Sequence, residues 1–160
     1  MRVFKEEQRF TQWWLIVICT IVILGIIINF FSYEKPLEQF STFNIVSKAI
    51  GPIIGVGIFL VKMHTKIDKY GVEVWFSPFR FTKKEFRWKE LEKVHTRKYK
   101  PVSEYGGWGI RGLSKPKAYN VKGNKGIQLK TRKGRYFLIG TQQPNKVDQV
   151  IRRYFNNSEE

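Results

Sequence analysis

The sequence predicts an α+β membrane protein: two N-terminal transmembrane helices, then a basic, strand-rich domain that ends in one helix. Three observations predict it. No charged residue lies between Arg9 and Glu34. At Lys62 the pattern changes from apolar runs to period-two alternation. Near the end, Val147, Val150, Ile151, Tyr154 and Phe155 recur at helical spacing. The 160 residues divide accordingly into an N-terminal segment 1–12, a first span 13–31, a loop 32–42, a second span 43–61 and a domain 62–160.

The nineteen residues from Trp13 to Phe31 would rise about 28 Å as a helix, close to the roughly 30 Å hydrocarbon core. Their Ile, Leu, Val and Phe side chains favour insertion by about 4 to 8 kcal/mol. The run is too long for a cleaved signal peptide and no small-x-small site follows it, so the span is expected to be retained. Phe43 to Val61 is the weaker span. Lys48 lies in its first turns, where it can snorkel, and Pro52 is tolerable beside another helix. Gly51 and Gly55, four apart, permit close helix packing, against the first span or in a homo-oligomer. Arg2, Lys5 and Arg9 precede the first span and only Lys35 lies in the loop, so both termini are expected on the cytoplasmic side.

From Lys62 onward the chain holds 24 Lys and Arg against 9 Asp and Glu, which accounts for nearly all of the overall charge of +16. Between Lys93 and Arg135 there are 13 basic residues and one acid, Glu104. Such an excess calls for an anionic partner. The adjacent bilayer is the expected one, because each Lys or Arg near an anionic leaflet contributes about 1 kcal/mol within a Debye length of about 8 Å. The candidate lipid contacts are Arg97, Lys98, Lys100, Lys115, Lys117, Lys122 and Lys125. Nucleic acid is not expected, since one of Tyr136 and Phe137 must face the core and a tethered domain searches DNA poorly.

Strands are predicted around Ile67, at 72–76, within 86–99, at 105–110, 118–121, 126–131 and 136–141, with Arg132-Lys133-Gly134-Arg135 as a hairpin turn. A helix follows over 146–155. Glu104-Tyr105-Gly106-Gly107-Trp108-Gly109-Ile110-Arg111, then Ala118-Tyr119-Asn120-Val121 with Gly123 and Gly126-Ile127-Gln128-Leu129, then Leu138-Ile139-Gly140-Thr141-Gln142 with Pro144, resemble the recurrent pattern of bacterial membrane proteins carrying a pleckstrin-homology-like (bacterial PH) domain. The resemblance covers about the last ninety residues. It implies a PH-like, partly open barrel of seven strands capped by the C-terminal helix, serving as an adaptor rather than an enzyme. It does not extend to phosphoinositide binding, because Lys69-Tyr70-Gly71 places a single Lys in the first hairpin turn.

Sites for chemistry are scarce. Cys19 is the only cysteine, which excludes an intrachain disulfide and a Cys-based metal site. His64 and His95 lack ligand spacing, so neither metal nor cofactor is expected. Glu85, Glu90 and Glu92 sit among Lys and Arg as surface ion pairs. The glycines of Gly106-Gly107-Trp108-Gly109 suit a bulge better than a phosphate loop, as no Gly-Lys-Ser/Thr follows. Tyr105, Trp108 and Arg111 are the candidate contacts for a protein partner. A deep pocket joining Glu104, Tyr105, Asn120 and Gln128 would instead point to catalysis. The expectation is a non-catalytic binding or scaffolding module, anchored as a multi-pass protein in the bacterial inner membrane. The alternative is an accessory subunit of a transporter or envelope enzyme, acting through its helical hairpin.

Overall fold

A computed structural model describes residues 3–31, 57–112 and 117–155. It resolves into two compact units: residues 1–9 with 62–160, and the intervening segment Phe10–Val61.

The intervening unit holds α1 (Trp13–Phe31). The helix opens with Leu15 and Ile16 both donating their amides to the Gln12 carbonyl. It is apolar on every side, with Trp13, Ile16, Val17, Ile21, Leu24 and Ile28 among its exposed side chains. Among the described residues, however, no helix is long and apolar enough to cross a membrane. The expected transmembrane hairpin is corrected on this finding, and the multi-pass inner-membrane location with both termini cytoplasmic goes with it. Most of the expected second span, with Gly51 and Gly55, lies outside the described residues.

The other unit is built from strands, and it too departs from expectation. In place of a seven-stranded, partly open barrel, the described residues form nine strands in two sheets. The first sheet has the order β1-β2-β3-β4: β1 (Phe4–Arg9), β2 (Lys62–Ile67), β3 (Gly71–Ser77) and β4 (Lys84–Arg87), all antiparallel. The second comprises β5 (Leu91–Lys98), β6 (Gly109–Arg111), β7 (Lys117–Asn120), β8 (Lys125–Thr131) and β9 (Tyr136–Gly140) in the order β5-β8-β9-β7-β6. Only β7 and β9 run parallel. Among the described residues two α-helices complete the unit, α2 (Pro101–Tyr105) and α3 (Pro144–Tyr154).

Period-two alternation assigns the faces. Met63, Ile67, Val72, Val74 and Phe76 point inward from the first sheet, and Ile127, Leu129, Phe137 and Ile139 from the second, all of them buried. Tyr119 joins the layers: its ring meets Phe76 edge-on at 5.4 Å and Phe137 at 5.1 Å, and its hydroxyl donates to the Thr82 carbonyl at 3.1 Å. The phenol thus contributes apolar area while its polar tip is satisfied. α3 buries Val147 and Ile151 against this core, and Phe155 packs near Trp88, their rings 5.9 Å apart.

Strand β1 was not anticipated. It pairs with β2 over its whole length, Phe4 opposite Ile67 and Arg9 opposite Lys62. The chain therefore leaves this unit at Arg9 and returns to the neighbouring ladder position at Lys62. Phe4, Glu6 and Gln8 are buried, while Lys5, Glu7 and Arg9 are exposed.

Candidate anion-binding surface

Arg97 is the centre of one cluster on the outer face of the second sheet. Its Nε donates to Gln128 Oε1 at 3.0 Å, Nη2 donates to Glu104 Oε2 at 2.7 Å and to the Tyr105 hydroxyl at 3.1 Å, and Nη1 donates to the Lys98 carbonyl at 3.2 Å. Alternation along β5 places His95 on the same face, directly opposite Gln128. α2 delivers Glu104 and Tyr105, starting with Pro101 in its first turn and ending at Gly106 in the left-handed conformation, φ 70°. Gly107 and Gly109 also have positive φ, 117° and 115°. The chain turns through Gly106 and Gly107, so the predicted strand at 105–110 is a helix end and a loop, with only Gly109–Arg111 extended.

Tyr105, Tyr99, Ala118 and Leu138 pack together beside this cluster. Burial pushes the Tyr99 phenol up to about 12 and raises that of Tyr105. The Arg97 guanidinium, with the Lys100 amide at 2.7 Å, holds the Glu104 carboxyl below its ordinary range against the opposing effect of burial. His95 moves down, through burial first and then the positive charges of Lys93 and Arg97, with Asp148 opposing weakly.

An open groove of about 640 Å³ lies here, lined by His95, Arg97, Glu104, Tyr105, Gln128 and Tyr136. Three of the four residues named for a catalytic pocket therefore do meet. The fourth does not: Asn120 is buried on β7, where its Oδ1 accepts the Gly109 amide at 2.9 Å. Arg97, Gln128 and Glu104 are also engaged with one another, so the guanidinium serves as a strut and its donors are largely committed before any ligand arrives. Among the described residues, no three His, Cys, Asp or Glu side chains gather as metal ligands.

The cationic residues divide between the two ends of the sheet. At the end where β5 finishes and β8 begins, Lys98 stands directly opposite Lys125 in the ladder. The Tyr99 amide donates to the Asn124 carbonyl at 2.8 Å, which brings Lys100 and the turn carrying Lys122 to the same end. Trp108 lies on that turn, its indole donating to the Gly123 carbonyl at 3.1 Å, and Arg111 Nε donates to the Trp108 carbonyl at 2.8 Å. Lys117 starts β7 opposite Phe137, near the beginning of β9, and so sits at the other end. Lys115 lies outside the described residues. Lys98 and Lys125 form no ion pair among the described residues, whereas Lys130 at the far end pairs with Glu92.

A further cationic rim escaped the sequence reading, because its members come from two separate segments. Lys69 in the β2–β3 turn and Arg87 and Lys89 at the end of β4 border a concavity of about 620 Å³ with Tyr70 and Trp88. Asp68 fastens the turn, its Oδ1 accepting the Tyr70 and Gly71 amides. Trp88 then joins turn to corner through its indole donating to the Asp68 carbonyl at 2.9 Å and its amide to the Tyr70 carbonyl at 3.3 Å. Close approach here demands Gly71, since a Cβ on it would lie 2.0 Å from the Phe86 carbonyl oxygen. No local signal near Lys69 announces residues seventeen or more positions away.

Set against known proteins, the chain matches no family model and no curated sequence.

Proposed function

We propose that the two-sheet unit is a non-catalytic binding module, similar in role to the PH-like adaptors its sequence resembles. Its cationic end contacts anionic lipid headgroups, and the adjoining Trp108 and Arg111 with Tyr105 contact an unidentified protein. One observation carries this reading: Lys98 faces Lys125 across the ladder with no carboxylate paired to either among the described residues. Like charges directly opposite in an antiparallel pair are destabilising, and an external anion relieves that repulsion. The mutual engagement of Arg97, Glu104 and Gln128 favours binding over acid–base catalysis in the neighbouring groove.

The test is sedimentation of the full chain with vesicles of phosphatidylcholine alone and of phosphatidylcholine mixed with phosphatidylglycerol. The expected result is preferential capture by the mixed vesicles, weakening steeply with added salt and reduced in Lys98→Gln/Lys125→Gln. Equal capture by both vesicles, or capture indifferent to salt, would overturn the reading.

A further inference from the structure

Strand β1 carries an unusual inner face for an edge strand. Of its three buried residues only Phe4 is apolar; the others are Glu6 and Gln8. Both reach the far end of β9. Glu6 Oε2 accepts the Thr141 hydroxyl at 2.6 Å, Glu6 Oε1 accepts the Gln142 amide at 2.7 Å, and Gln8 Nε2 donates to the Gly140 carbonyl at 2.8 Å. The segment they hold is the one that fastens the cationic end. The Thr141 amide donates to the Lys125 carbonyl at 2.9 Å, and Gln142 Nε2 donates to the Lys122 carbonyl at 2.8 Å. An uninterrupted set of hydrogen bonds thus runs from β1 through residues 140–142 to Lys122 and Lys125.

We propose that the seating of β1 controls anion capture at the cationic end, with Glu6 and Gln142 as positioning residues. This rests on the binding role proposed above and names its regulation. When β1 is seated, Glu6 fixes Gln142, and Gln142 fixes the turn on which Lys122 is carried. When β1 is withdrawn, that turn loses its tie and the cations lose their common orientation. Two features bear on how firmly β1 is seated. Gln8 Oε1 and Thr65 Oγ1 are buried at the β1–β2 interface without hydrogen-bond partners among the described residues, so these residues leave the polar inner face of β1 incompletely satisfied. The chain also runs from Arg9 directly into the Phe10–Val61 unit, so anything that binds or moves that unit acts on β1 through a continuous backbone.

The experiment measures binding of the full chain to phosphatidylcholine–phosphatidylglycerol vesicles for Glu6→Gln, Gln142→Ala, their double variant and Lys98→Gln/Lys125→Gln, alongside amide exchange. Glu6→Gln should weaken capture at least about fivefold, the low end of usual coupling between sites. It should also speed exchange at Gly123 to Lys125 while leaving Ile127 and Leu129 protected. Gln142→Ala keeps the bond from Glu6 to its backbone amide and removes only the tie to Lys122. It should weaken capture similarly, and the double variant should lose no more than about twofold beyond the larger single effect. Unchanged affinity in Glu6→Gln, or fully additive losses, would overturn the coupling. If the lysine variant itself binds as tightly as the parent, the anion-binding role is what has failed.

Discussion

His95 shows how position in a sheet governs a residue's chemistry. It lies between Lys93 and Arg97 on β5, opposite Gln128, with Asp148 as a carboxylate that opposes their effect. Burial and the two cations lower its pKa from the usual 6.5, so the folded protein holds it neutral while the unfolded chain accepts a proton. Its contribution to stability is therefore complete above pH 6.5 and is lost as pH falls from there through the lowered folded value. Glu7, Asp68, Glu85 and Glu104 are shifted down as well, and their contributions begin to fade only as pH falls through the ordinary carboxylate range, a lower window. Urea midpoints of the parent should decline as pH drops below 6.5, and those of His95→Asn should stay flatter there. Parallel profiles for the two proteins would remove His95 as the cause.

Helix α3 is the element most plainly written in the sequence. The spacing of Val147, Ile151 and Phe155 specifies one apolar face, and these three are buried while Arg152 and Arg153 are exposed. Ile151→Ala should cost about 2 to 5 kcal/mol through lost burial and the cavity it leaves, against less than about 0.5 kcal/mol for Arg152→Ala on the exposed face. Denaturant melts giving similar losses for the two would contradict the packing. Strands β3, β7, β8 and β9 were legible for the same reason: their alternation is local, and the turn at Arg132–Arg135 closes with Gly134 donating to the Thr131 carbonyl at 2.9 Å. The single strand predicted within 86–99 is divided between β4 and β5, in different sheets, and two further elements were illegible. The glycine-rich stretch after Tyr105 looked extended because residue types alone do not reveal the sign of φ. Strand β1 failed because Glu6 and Gln8 occupy its inner positions, so its apolar pattern was absent and its partner lay more than fifty positions along the chain. The cationic surface divided likewise: counting charges picked out Lys98, Lys100, Lys122 and Lys125, but only the strand order separates them from Lys117, and only the side-chain hydrogen bonds show Arg97 engaged as a strut.

At the scale of the whole molecule, the arrangement of the two units is a statement about connectivity. Arg9 and Lys62 are ladder partners on adjacent antiparallel strands, which is the geometry a two-residue hairpin turn spans. The 52 residues from Phe10 to Val61 thus form an excursion from a β-hairpin, and the two-sheet unit should not need them to fold. Joining Arg9 to Lys62 through Asn-Gly shortens that connection and adds at most about 3 kcal/mol from reduced loop-closure entropy. A chain that simply begins at Lys62 is a different case. It exposes the edge of β2 and leaves the Thr141 hydroxyl, the Gln142 amide and the Gly140 carbonyl without the partners that Glu6 and Gln8 supply, at about 1 to 3 kcal/mol for each group that stays buried. The joined chain should therefore melt cooperatively and well above the chain beginning at Lys62, as read by circular dichroism and amide exchange. If the two melt together, β1 is an ornament of the sheet and its bonds to residues 140–142 hold nothing in place. If the joined chain alone melts cooperatively, the N-terminal strand is an integral part of the fold, and the inserted unit can vary without disturbing the two sheets.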